Sequence, residues 1–188
     1  MFLLLAAGNH VQAQPVERLG IPGPLRFDKV PFTLAWTSRP SDNYFIQEYL
    51  PAGEHVEDFH QMLTVHLTVV DIALADAVSL KIAELKKRRA DDPTCNYAVE
   101  QNADSTEYMI DFVVTQSKDD MIEIAEFNVY RYREVIVSGG KRAVLVVAYS
   151  KRAYGDEADK FYERLNKIRS KYLNAMIDFG MPAVNIRQ

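Results

Sequence analysis

The sequence predicts an α+β domain: an antiparallel β-sheet with a four-stranded C-terminal meander, packed by two long helices into an α/β sandwich. Three observations predict it. From Cys95 to Ser150 the apolar residues follow a period of two, in four runs separated by ADST, SKDD and SGGK. Short polar turns of this kind join antiparallel neighbours. Leu74, Val78, Ile82 and Leu85 recur at helical spacing before those runs, and Phe161, Leu165, Ile168, Tyr172, Ala175 and Met176 do so after them, placing one helix on either side of the meander. The chain has 188 residues and 48% hydrophobic content, enough for one substantial core and short for two.

Taken in order, Leu25 to Val30 is a short strand. Phe32, Leu34 and Trp36 alternate with Thr33 and Ala35 in a half-buried strand, and Ser38 to Asn43, holding Arg39-Pro40-Ser41-Asp42, reads as a turn. Tyr44 to Leu50 completes a hairpin, stopped by Pro51, Ala52 and Gly53. Glu54 to Gln61 reads as a short helix opened by acidic residues. Met62 to Val70 is a strand with Leu63, Val65, Leu67 and Val69 on one face and Thr64, His66 and Thr68 on the other. Asp71 is placed to cap a helix that runs to about Arg89 and is ended by Asp91, Asp92 and Pro93.

The meander strands are Cys95 to Gln101, Glu107 to Gln116, Met121 to Val137 and Arg142 to Ser150. In the third, Ile122 and Ile124 share one parity and Phe127 and Val129 the other, so a bulge is expected near Ala125. The last helix starts at Gly155 and Asp156 and ends at Gly180, with Gly180 as cap and Pro182 preventing continuation.

Residues 1–13 read as a signal peptide. FLLLAA supplies the apolar run, and Val11 and Ala13 stand at the small-residue positions before Gln14. The run is short and no Lys or Arg precedes it, as a start codon assigned too far downstream would produce. No Cys follows it, so the expected product is exported, periplasmic or secreted, and is not a lipoprotein. Residues 14–24, with three Pro and two Gly, read as a linker. Residues 25–182 are then one α+β domain and 183–188 a tail. No apolar run in the mature chain is long enough to span a bilayer.

PFTLAW, a turn and NYFIQEYLP, then a strand, a helix and the Met121–Ser150 hairpin, resemble the Mog1/PsbP-like superfamily across residues 25 to 179. The resemblance implies a non-enzymatic accessory or binding role. A cystatin-like or NTF2-like α+β domain is the alternative.

The net charge is −4, from 22 basic and 26 acidic residues, which gives no reason to expect a nucleic-acid partner. The one dense basic run, Lys86 to Arg89, sits at a helix C-terminus, where the helix dipole favours cations. Cys95 is the single cysteine and cannot form an internal disulfide; its neighbours make it a buried, inert thiol. His10 belongs to the N-terminal segment, His55 and His60 do not share a helical face, and His66 lies on the polar side of its strand. They do not make the three or four convergent ligands a zinc site needs, so no metal and no cofactor is expected.

Neither G-x-S-x-G nor a phosphate-binding glycine loop occurs, and no catalytic residue is assigned. The one unusual local feature is Tyr130-Arg131-Tyr132-Arg133, with the tyrosines on one strand face and the arginines on the other. Tyr and Arg are enriched in binding hot spots. Tyr130, Arg131, Tyr132, Arg133 and His66 are therefore the candidate binding residues, set against cross-strand packing of the tyrosines with solvated arginines. The expected function is an exported, non-catalytic accessory or binding domain with a protein partner or small ligand. The alternatives are a small-ligand-binding protein or enzyme with a pocket between sheet and helices, and a structural subunit assembling through its sheet.

Overall fold

The computed structural model describes residues 15–21, 23–119 and 121–187; the expected signal peptide lies outside them. The elements are β1 (Leu25–Phe27), β2 (Val30–Ser41), β3 (Tyr44–Leu50), β4 (Gln61–Val69), α1 (Leu74–Arg88), β5 (Asn96–Gln101), β6 (Glu107–Lys118), β7 (Met121–Val137), β8 (Lys141–Tyr154), α2 (Asp156–Glu163) and α3 (Leu165–Asp178). The strands form one sheet in the order β1-β2-β3-β4-β8-β7-β6-β5, with every neighbouring pair antiparallel.

This corrects the expected sandwich of a sheet packed by two long helices. The chain is 47% strand and 22% helix, an eight-stranded sheet curled into a half-barrel with three short helices. Strand length is the physical reason. β7 has 17 residues and β8 has 14, and strands this long accumulate right-handed twist that curls the sheet. A single straight helix over residues 156–178 would be about 35 Å long. Instead it breaks at Arg164, whose amide is shared between the carbonyls of Lys160 and Phe161 at 3.2 Å each, the tightening typical of a helix end. Gly180 is not the cap either. Phe179 takes that position with extended backbone, and its amide donates to Ala175 O at 3.0 Å.

The expected helix at 54–61 is a loop. The Glu54 carboxylate, read as a helix N-terminal acid, accepts the amides of His60 and Gln61 at 2.6 and 2.8 Å. Phe59 packs with Leu50 and Met62, and Val56 packs against them. β2 runs through the expected turn to Ser41. Pro40 is accommodated because the β2–β3 register shifts between Ser38 and Ser41, and because β1 pairs with β2 only at Val30, Pro31 and Phe32. The bulge in β7 falls at Glu123, between the Ile122↔Ser117 and Ile124↔Gln116 pairs. Asp71 does not cap α1; Ala73 occupies that position and Asp71 pairs with Arg142 at 2.6 Å.

Alternation along the central strands divides the core between two faces. Leu63, Val65 and Leu67 of β4, Leu145, Val147 and Tyr149 of β8, and Phe127 and Val129 of β7 join Tyr172, Leu173 and Met176 of α3. Ile110 and Phe112 of β6, Tyr132 of β7 and Val144 of β8 join Leu74, Val78 and Leu85 of α1. On the α3 face Tyr149 stacks on Phe27 with 4.3 Å between ring centroids and lies 4.8 Å from Tyr172.

The Pro/Gly segment is part of this core rather than a linker. Leu19 and Ile21 are buried. The Glu17 carboxylate accepts their amides at 2.8 and 3.0 Å, and buried Gln47 accepts the Arg18 amide at 2.7 Å. The C-terminal tail docks beside it. The amides of Asn185 and Arg187 donate to the carbonyls of Leu19 and Arg18 at 2.7 Å each. Gly20 has φ +68°, and a Cβ there would stand 2.9 Å from Asn185 O, so the close approach requires glycine.

Leu19→Ala is therefore expected to cost roughly 2–5 kcal/mol, read from the midpoint of urea unfolding. A free linker would leave that midpoint unmoved.

Candidate functional site

The structure separates the five candidate residues into two groups. Tyr130 and Tyr132 project under α1, and His66 lies on the same face, in register with Val146 of β8 and through it with Tyr132. His66 Nδ1 and the Tyr44 hydroxyl are hydrogen-bonded at 2.9 Å, and the His66 ring stacks at 6.1 Å on Tyr44 and 6.3 Å on Tyr130. The Lys81 ammonium closes the cluster from α1, 4.9 Å above Phe112 and 5.1 Å above Tyr130. Burial, and then the Lys81 charge, push the His66 pKa down from 6.5 to about 4. Burial raises the Tyr44, Tyr130 and Tyr132 hydroxyls above their ordinary values. At neutral pH this is an uncharged histidine packed among un-ionised tyrosines.

Arg131 and Arg133 project from the opposite face and share one carboxylate, that of Glu107. Arg131 also donates to the carbonyls of Met176 and Phe179 at 2.8 and 2.9 Å. It thereby satisfies acceptors that the end of α3 leaves open. Arg169 of α3 makes a two-point pair with Asp111 of β6 at 2.6 Å for both contacts. These charges lock α3 onto the sheet. Cys95 is buried, with Sγ 3.7 Å from Leu85 O. Burial, and then Asp92, push its thiol up, which disfavours the reactive thiolate.

One opening in the structure lies elsewhere, at the end of β8. β4 pairs with β8 only as far as Gln61↔Lys151, while β8 continues to Tyr154 against β7 alone. The corner is filled incompletely by the 51–60 loop, α2 and the start of α3. A cavity of about 390 Å³ remains. Ala153, Phe161, Ile168 and Tyr172 give it an apolar floor, and its charged lining is Lys151, Arg152, Glu157, Lys160 and Arg164.

Its walls are held by specific contacts. The Arg152 amide donates to His60 O at 2.9 Å. The Arg152 guanidinium stacks 4.0 Å from the Phe59 ring centroid and pairs with Glu126, Nε to Oε2 2.6 Å. The Tyr154 hydroxyl donates to Phe59 O at 2.9 Å, and the His60 ring meets Tyr154 edge-on at 5.4 Å. Sequence reasoning missed this site. Its only trace is the mixture of Tyr149, Lys151, Arg152 and Tyr154, which lacks the spacing of any motif.

A protein-family model for a family of unknown function matches residues 19–181. The chain belongs to that family. The match begins at Leu19, inside the docked N-terminal segment, and takes in all eight strands, the three helices and every cavity residue. No curated protein matches the chain.

The His66 site predicts a pH effect. Its folded pKa lies below its unfolded value, so its contribution to stability is complete above pH 6.5 and is lost as the pH falls towards 4. The loss is on the order of 3 kcal/mol. Urea unfolding at a series of pH values should show that step in the wild type and its absence in His66→Gln.

Proposed function

We propose that this protein is a non-catalytic binding domain that takes a small ligand in the cavity between β8 and the α2–α3 pair. The carrying observation is the cavity itself, which combines an apolar and aromatic floor with polar groups, the two components of small-ligand sites. Two groups suited to chemistry by residue type lie outside the cavity and support the non-catalytic part. The Cys95 thiol is buried with a raised pKa, and the His66 ring is half-buried and tied to Tyr44. The resemblance to the Mog1/PsbP-like superfamily points the same way.

Export by the N-terminal segment belongs to the same proposal. Among the described residues no helix is long and apolar enough to cross a membrane. Intact mass of the protein taken from its native cell should give a chain beginning at Gln14; a chain retaining Met1 would end the export reading.

Binding is tested by recording amide spectra of the full chain against a set of small fragments. Hits should shift Ala153, Phe161 and Ile168 together. Ile168→Trp, which fills the floor, should weaken those hits by about tenfold or more. Hits that leave these three amides unmoved would sink the reading.

A further inference from the structure

Building on the cavity reading, we infer that the ligand is a small organic anion, an acid group carried on an apolar body. The acid group lies against Lys151 and Arg164, and the body lies on Phe161 and Ile168.

The charges around the cavity carry the inference. Two of its four Lys and Arg side chains are already neutralised. Arg152 pairs with Glu126, and Lys160 pairs with Glu157 at 2.7 Å. Lys151 and Arg164 form no ion pair among the described residues, although both line the cavity. Lys151 is partly buried on β8 and Arg164 is exposed at the α2–α3 break. The carboxylate that acts on Lys151 is Glu54, and it is engaged with the amides of His60 and Gln61. Lys171 adds a like charge nearby, itself tied to Asp28 at 2.7 Å.

A partly buried ammonium ordinarily receives a counter-charge from its own protein. Elsewhere this chain supplies one: Arg131 and Arg133 have Glu107, and Arg169 has Asp111. At the cavity Glu157 is taken up by Lys160 and Glu54 by backbone amides, so Lys151 lacks such a direct contact and a ligand acid group would supply it. The two cations suit that task differently, Lys151 as a point charge and Arg164 as a planar fork. The floor beneath them is apolar, so inorganic phosphate alone would leave it empty.

The test uses a matched pair of fluorescent probes on the full chain: 8-anilinonaphthalene-1-sulfonate and its uncharged counterpart N-phenyl-1-naphthylamine. The sulfonate should bind about tenfold more tightly than the neutral probe, and Lys151→Gln should remove that preference. Lys167→Gln, on the exposed side of α3, should leave it intact. Rising salt should weaken the sulfonate alone, a wild-type measurement that stands even if Lys151→Gln fails to fold. Ile168→Trp should reduce both probes.

Equal affinity for the two probes, unchanged by Lys151→Gln and by salt, would overturn the anion inference while leaving the cavity reading in place. Wild-type binding of either probe that persists undiminished in Ile168→Trp would place the probes elsewhere and overturn both.

Discussion

β8 pairs with β7 from Ile124↔Tyr154 to Val137↔Lys141, and on its other side with β4 from Gln61↔Lys151 to Val69↔Ala143. This one strand joins the N-terminal strands to the C-terminal meander. Its alternation sets both cores: Leu145, Val147 and Tyr149 turn towards α3, and Val144 turns towards α1. A single slip of register would move each set to the wrong cover. The twist of so long a ribbon also forces the covers to be short, because a straight helix cannot follow a curled sheet. The break at Arg164 and the separate α2 and α3 follow from that.

The unequal reach of β4 and β8 has a second consequence. Where β4 stops, β8 loses a neighbour, and its last residues are held by a loop on that edge and by β7 on the other. Hydrogen bonds repair the backbone there, as between Arg152 and His60 O. The side chains do not fill the space, and a cavity stays open at the end of the central strand. The candidate site is thus a product of sheet geometry rather than of a local motif.

The ion pairs divide the molecule in the same way. On the α3 face they are saturated, with Glu107 between two arginines and Asp111 gripped by Arg169, and they hold a helix in place. At the cavity rim Arg152 and Lys160 have partners, while Lys151 and Arg164 have none among the described residues. Arg131 illustrates why the strand motif misled. Its neighbours in sequence look like a binding patch, yet its guanidinium reaches the open carbonyls at the end of α3, a partner far along the chain.

What the sequence by itself determined is local. Period-two alternation placed β4 with Leu63, Val65 and Leu67 on one face, and the polar turns bounded β7 at Met121 and Val137, because side-chain alternation is a property of the strand backbone itself. The face shared by Tyr130 and Tyr132 was readable for the same reason. Only the tertiary structure decided what meets across the fold. It buried Leu19 and Ile21 although their Pro/Gly surroundings read as a linker, it brought His66 to the face of Tyr130, and it brought Lys151 and Arg164 to the lining of one cavity. Burial and ion pairing depend on the partner that a distant segment supplies. Sheet curl and strand overhang, which choose that partner, are sums over the whole sheet that no single run of residues records.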